Sequence, residues 1–202
     1  MKLILLTTPR FFVEEDKIIT DLFEEGLDML HLRKPGEEPI YAERLLKLIP
    51  KQYNKHIITH QHFYLKEEFQ LMGIHLSKYN PEPPEGYKGH ICETIHSIDE
   101  LGEAKKKVDS VILSPIFDSI SRPNYKSEFD FETLKKASKA GLIDKNTIAL
   151  GGISIDKIKM LKDLGFGGVM ISGDLWSRFN IYSTTDYQEL IKYFREIRKA
   201  VG

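Results

Sequence analysis

The sequence predicts a single (β/α)8 TIM-type barrel over residues 1–202, and three observations carry that prediction. Short apolar runs alternate with helix-period stretches along the whole chain, the pattern of a parallel sheet built from βα units. The segment 147–173 is one complete unit. An apolar run ends in Gly151-Gly152, a helical stretch follows with Ile155, Ile158, Leu161 and Leu164 on one face, Gly165 stops it, and a second apolar run ends in Ser172-Gly173. Glycines at successive strand ends let backbone N–H groups approach an anion, and the loops after strands seven and eight form the usual phosphate site of such barrels. The third observation is length. A chain of 202 residues with 41% hydrophobic content buries one substantial core, near the lower limit for this fold, so insertions must be few and one helix is dispensable. A doubly wound open sheet is the weaker alternative.

Taken in order, residues 2–8 read as a buried strand, and 14–25 as a helix with Ile18, Ile19, Leu22 and Phe23 apolar, closed by Gly26. Strand two spans 28–34. Leu30 and Leu32 point one way, and His31 and Arg33 the other, into the barrel. An inward arginine is costly unless something anionic sits opposite, which makes Arg33 a ligand candidate. A helix over 39–48 ends at Pro50, strand three covers 56–60, a modest helix 62–69, and strand four 73–77. Residues 78–88 hold three prolines, so the fourth helix is expected to be lost or reduced to a turn. Strand five spans 90–96, and Ser97 with Glu100 suggests a capping box opening a helix over 97–107. Strand six covers 111–117, followed by a loop over 118–129 that is longer than a βα turn needs. A helix over 131–140, the 147–173 unit, and a final helix over 184–201 capped around 184–186 complete the chain.

The 29 basic and 30 acidic residues nearly cancel, so nothing draws the whole molecule to nucleic acid or an anionic membrane. Cys92 is the only cysteine, which excludes a disulfide framework and a cysteine-built zinc site; a buried, inert thiol is expected. The apolar run at residues 3–6 is too short for a signal core, and no segment reaches transmembrane length. A cytoplasmic protein is expected.

In such a barrel the chemistry lies at the strand C-termini. Those ends supply Thr7-Thr8, His31, Arg33, Lys34, His60, Gln61, His62, Ser77, Lys78, Asn80, Thr94, His96, the stretch 114–122, Gly151-Gly152 and Ser172-Gly173. The mouth is basic and hydroxyl-rich, without the acidic pair of a glycosidase. Ser119-x-Ser121-Arg122 offers two hydroxyls and a guanidinium in one loop, a phosphate grip, with a solvated polar loop as the plainer reading. Five histidines fall near strand ends, His31, His60, His62, His75 and His96. A histidine-ligated metal is the minority reading, because no Asp or Glu joins them and core histidines explain His75 and His96 as well.

Together, Leu32-Arg33-Lys34, Gly73-Ile74-His75-Leu76, Ser114-Pro115-Ile116-Phe117, Ser119-x-Ser121-Arg122, the stretch 148–153 and the stretch 168–172 resemble the thiamine-phosphate synthase and TenI-like family. The resemblance runs from the first strand to the eighth in order. It implies a (β/α)8 barrel, and an enzyme that joins hydroxymethylpyrimidine diphosphate to thiazole phosphate, releasing pyrophosphate with Mg2+ as cofactor. It further implies that Arg33 and Lys34 hold the leaving pyrophosphate, although Pro35 occupies the usual lysine position, and that His31 stands where a glutamine is common. Thr94 matches a serine that touches the pyrophosphate. Ser119, Ser121 and Arg122 match a Thr-x-Thr-Lys loop, and Gly151, Gly152, Ile171 and Ser172 match the phosphate cradle.

Two departures stand out. The family's Asn-Asp pair after strand three is His60-Gln61, and its metal-binding aspartate after strand four is Asn80. The isomerase relatives carry a histidine after strand six, where this chain has Pro115. Three readings follow: a synthase acting by charge and position, an isomerase using His31, His60 or His96 as base, and a non-catalytic binder of thiazole or thiamine phosphate. Small phosphorylated molecules are the expected partners, and a homo-oligomer stays open.

Overall fold

Eight parallel strands close on themselves in sequence order: β1 (Lys2–Leu6), β2 (Met29–Leu32), β3 (Ile57–Thr59), β4 (Gly73–Leu76), β5 (His90–Ile95), β6 (Ser110–Leu113), β7 (Thr147–Leu150) and β8 (Gly168–Ile171). The computed structural model describes residues 1–120, 124–179 and 184–202, with the side chains of the last stretch from 187 onward. β1 pairs with β8 from Lys2↔Gly168 to Leu5↔Ile171, which closes the barrel and excludes the open sheet. Among the described residues no helix is long and apolar enough to cross a membrane.

Strand alternation sorts the apolar residues into two cores. Leu3, Leu5, Leu30, Leu32, Ile57, Leu113, Val169 and Ile171 face outward and pack beneath the helices. Ile4, Met29, Ile58, Cys92, Ile112, Ile148 and Met170 fill the barrel interior as a separate cluster. The helices are α1 (Glu15–Glu24), α2 (Pro39–Leu48), α3 (Tyr64–Phe69), α4 (Leu101–Ala104), α5 (Phe131–Lys139), α6 (Ile158–Asp163), α7 (Gly173–Trp176) and α8 (Thr184–Val201). α1 buries Ile18, Ile19, Leu22 and Phe23. It ends as expected at Gly26, whose φ of 96° lets the Leu27 N–H reach the Leu22 carbonyl at 2.9 Å. Leu190, Ile191, Phe194, Ile197 and Val201 of α8 are buried on one stripe, which seals the barrel from outside.

No helix lies between β4 and β5. The prolines leave a loop that opens with a Ser77–Asn80 turn, each N–H donating to the other's carbonyl at 3.0 Å. Three boundaries differ from the sequence reading. β6 stops at Leu113 because Pro115 has no N–H for the ladder. The chain beyond it runs along the β7 loop instead, with Ile116 N–H donating to the Leu150 carbonyl at 2.9 Å and Phe117 N–H to that of Gly151 at 3.1 Å. The helix after β5 is only a 3-10 turn (Ile98–Glu100) followed by the four residues of α4, which contain Gly102. Its cap is Ser97 accepting from Asp99 N–H at 3.2 Å. Finally, α7 directly follows β8, held to β1 by the Trp176 indole N–H donating to the Leu6 carbonyl at 2.9 Å.

Candidate active site

A cavity of about 590 Å³ opens at the C-terminal mouth of the barrel. That volume suits a small organic substrate or a pair of them. Arg33 lines it, and the backbone beneath Arg33 is fixed from β1: Arg33 N–H donates to Thr7 Oγ1 at 3.0 Å, and the Thr7 hydroxyl donates to the Arg33 carbonyl at 3.1 Å. Thr94, Ser119, Gly151, Gly152 and Ser172 line the same cavity. The Ser119 N–H donates to the Tyr125 carbonyl at 3.0 Å. Asp118 braces the base of that loop through Lys126 Nζ at 2.9 Å and Ser127 N–H at 3.0 Å. The loop is therefore tied back on itself rather than freely solvated. Ser121 and Arg122, the rest of the expected phosphate grip, lie outside the described residues.

The glycine pair does two jobs. Gly151 and Gly152 have φ of 101° and 60°, and a Cβ on Gly152 would stand 2.2 Å from the Asp118 carbonyl oxygen. Their lack of side chains thus joins the β6 and β7 loops as well as leaving the cavity wall bare. Gly152→Ala is expected to lower the melting temperature even without ligand. An unchanged melting temperature would mean that the two loops separate at no energetic penalty.

The cavity floor is a packed cluster of imidazoles. His31 Nδ1 lies 3.0 Å from His60 Nε2, and the His60 and His75 rings stack at 4.0 Å between centroids, 13° from parallel. His75 continues the chain, with Nε2 at 3.2 Å from Thr94 Oγ1 and Nδ1 at 3.2 Å from Cys92 Sγ. Burial, then His75 and His90, holds His31 well below its usual 6.5. Burial, then the other two histidines and Arg33, does the same to His60. For His75, burial and then Arg33 bring the value down to about 3. All three are neutral at physiological pH. Burial pushes the Cys92 thiol well above its usual range, so it is protonated.

His96 stands apart at the rim. Its Nδ1 is 2.6 Å from the Ser114 carbonyl, which can only accept. Nδ1 therefore carries a proton and donates it to that carbonyl, which leaves Nε2 as the ring nitrogen free of this contact. His62 lies away from the cluster, 3.4 Å from the Glu37 carbonyl and with its ring beside that of Tyr64.

Lys34, expected beside Arg33 at the diphosphate, points the other way. Strand alternation sends it outward, where Nζ lies 2.6 Å from Glu15 Oε1, 2.9 Å from the Arg10 carbonyl and 3.2 Å from Thr8 Oγ1, and 4.5 Å over the Phe11 ring. Both members of the Lys34–Glu15 pair are buried. The crevice that Lys34 lines, with Phe11 and Thr59, is about 10 Å³ and admits no substrate. Pro35, back on the inward parity, lines the main cavity. Ile171 is in the helix-facing core, so only its backbone is near the mouth.

The two positions expected to hold Mg2+ are placed poorly for it. Gln61 lines the cavity, but its Oε1 accepts from Lys34 N–H at 2.9 Å. Asn80 is exposed in the Ser77 turn and does not line the cavity. Among the described residues the only carboxylate on the wall is Asp174, and it is engaged by the Tyr193 hydroxyl at 2.5 Å and lies 3.6 Å from Arg178 Nη2. Hard cations want anionic oxygen, so these residues do not fit a protein-held Mg2+.

The sequence reading missed Cys92 as part of this floor and Asp174 as part of the wall. Cys92 was findable, since it shares the inward parity of Thr94 on β5. Asp174 had no distinguishing signal.

Comparison with known proteins gives the family and the fold. The family model described as thiamine monophosphate synthase matches residues 3–175. The thiamine-phosphate synthase of Haemophilus influenzae is 22% identical over 184 residues, covering 83% of this chain and 80% of that protein. That of Mannheimia succiniciproducens is 24% identical over 191 residues, covering 83% and 82%. Among solved structures, thiamine phosphate pyrophosphorylase from Bacteroides thetaiotaomicron superposes with a TM-score of 0.91 at 50% identity, covering 99% of this chain and 97% of that one. The enzyme of that name from Pyrococcus furiosus shares the fold at 18% identity and a TM-score of 0.75, with 99% and 95% covered. With a family model matched over most of its length and the same barrel closed in the same order, the chain belongs to the thiamine monophosphate synthase family.

Proposed function

We propose that this protein joins hydroxymethylpyrimidine diphosphate to thiazole phosphate, forming thiamine phosphate and releasing pyrophosphate. The observation that carries this reading is the division of the cavity: Arg33, hydroxyls and glycine-loop amides at the mouth, above a floor of neutral imidazoles. The bond between the pyrimidine methylene carbon and the diphosphate oxygen breaks, and its electron pair leaves with the diphosphate. The thiazole nitrogen lone pair then forms the new C–N bond. No protein base or nucleophile is needed, so catalysis is positional and electrostatic. Arg33 faces the charge that accumulates on the leaving group. No step is assigned to Mg2+.

Incubation with both precursors should yield thiamine phosphate and pyrophosphate. Arg33→Gln should lower kcat/KM by a factor corresponding to about 1.5–3 kcal/mol, the range for a charged hydrogen bond. Thiazole phosphate alone should still raise the melting temperature of the variant, by binding the folded state. Absence of product from the wild-type protein would remove the synthase reading.

A second reading is favoured by His96. Its Nδ1 is tied to the Ser114 carbonyl and the ring lines the cavity, which suits Nε2 to the proton transfer a thiazole phosphate isomerase needs. Isomerisation without the pyrimidine substrate, lost in His96→Gln, would support it over the synthase.

A further inference from the structure

The transfer makes no use of the thiol buried beneath the cavity floor. His31, His75 and Cys92 each offer a ligand atom, and the three atoms all lie within 4.8 Å of one another. In a tetrahedral zinc site with bonds of about 2.0–2.3 Å, neighbouring ligand atoms stand about 3.3–3.6 Å apart. His75 Nδ1 and Cys92 Sγ, 3.2 Å apart, stand just inside that spacing and need to separate only slightly to admit the ion.

The hydrogen bonds around these atoms are those of an assembled site. Thr94 Oγ1, 3.2 Å from His75 Nε2, can take the ring proton on that nitrogen and leave the Nδ1 lone pair aimed at the sulfur. His60, 3.0 Å from His31 Nδ1, orients the second imidazole in the same way. The thiol has the Ile74 carbonyl as a further acceptor at 3.6 Å, so the space between Sγ and Nδ1 is where a cation would replace the thiol proton. Of the three ligands only His75 lines the 590 Å³ cavity; His31 and Cys92 lie buried beneath it, so an ion enters past the His60 and His75 rings.

We propose that His31, His75 and Cys92 bind one borderline-soft divalent metal ion of the zinc class at the cavity floor. His60 and Thr94 act as its orienting partners, and the fourth position is left to water or to a ligand entering through the cavity. Binding displaces the Cys92 thiol proton to solvent and involves no change of oxidation state. One thiolate and two neutral imidazoles suit zinc, cobalt or a similar ion and discriminate against Mg2+. This site is separate from the poorly fitting Gln61 and Asn80 positions.

Cobalt is the probe. The metal-stripped full chain, without thiamine precursors, is titrated with Co2+. One equivalent should bind, with tetrahedral d–d absorption and a thiolate-to-cobalt charge-transfer band in the near ultraviolet. Cys92 is the only cysteine, so that band can arise from no other residue. Zn2+ should bleach it stoichiometrically and raise the melting temperature. Cys92→Ser should abolish the band, and His75→Gln should weaken cobalt binding by about tenfold or more. Folded wild-type protein that shows no charge-transfer band overturns the proposal, as does a band of equal strength in His75→Gln. The wild-type spectrum and its Zn2+ competition decide the matter even if a variant fails to fold. Failure here would leave the transfer reaction untouched, because product formation is measured separately.

Discussion

Lys34→Met is expected to destabilise the fold by about 3–5 kcal/mol near pH 8, the range for breaking a buried ion pair from one side. The ammonium is 2.6 Å from Glu15 Oε1, with the two side chains 4% and 1% exposed. Among the described residues Glu15 Oε2 has no hydrogen-bond partner, and Lys34 is the one cation paired with this carboxylate. Burial pushes Glu15 from 4.5 up to about 7 against the pull of Lys34, and burial likewise lowers Lys34. The sign of the pH dependence follows. A carboxyl whose folded value is raised contributes stability below about 4.5 and loses it as pH rises through about 7. Removing its cation raises it further. The variant should therefore be most impaired at pH 8 and partly recovered at pH 6, in urea unfolding at the two pH values. Lys34→Met with Glu15→Leu should regain most of the loss, since an apolar pair replaces a half-broken ionic one. A residue serving diphosphate would behave otherwise. Loss of transfer activity with unchanged stability would return Lys34 to the cavity.

The barrel was legible because its signal is periodic and repeated. Apolar runs such as residues 2–6 and 147–150, each followed by a stripe such as Ile18, Ile19, Leu22 and Phe23, admit few arrangements other than βα units. The missing fourth helix was legible for a chemical reason, because Pro81, Pro83 and Pro84 deny the backbone its donors. Strand ends were not. β6 stops at Leu113, four residues before the apolar run does, and the leftover apolar residues serve the packing of one loop on another. The candidate site was read best where alternation was applied strictly. His31 and Arg33 were correctly sent inward, yet Lys34, one residue on, was grouped with them through the family resemblance and against its own parity. The same rule applied to β5 puts Cys92 and Thr94 on one face, but the gathering of three imidazoles around them depends on the register between β2, β3, β4 and β5. Register is a tertiary property. No local pattern in residues 31, 60, 75 or 92 encodes it.

Acid should unfold this protein unusually early, because the floor histidines must remain uncharged for the barrel to hold together. His31, His60 and His75 are buried and depressed, and the groups acting on them are one another, His90 and Arg33, all of which disfavour an added proton. In the unfolded chain each takes a proton near 6.5. Below that pH the unfolded state binds more protons than the folded one, so stability falls as pH falls. His75, lowered to about 3, contributes a slope of about 1.4 kcal/mol per pH unit between those values. His31 and His60 are lowered in the same direction and steepen that slope further. Glu15 acts in the opposite sense but only between about 4.5 and 7, and as a single group it is outweighed. Urea unfolding from pH 8 to pH 4.5, in a chelator so that no metal contributes, should give a steep loss of stability beginning near pH 6.5. His75→Asn should lose about one proton's share of that slope while keeping a folded barrel at pH 8. A wild-type profile that stays level down to pH 5 would mean that the imidazoles are already charged or solvated in the folded state. In that case the neutral imidazoles that the transfer reading places at the floor would fall with it.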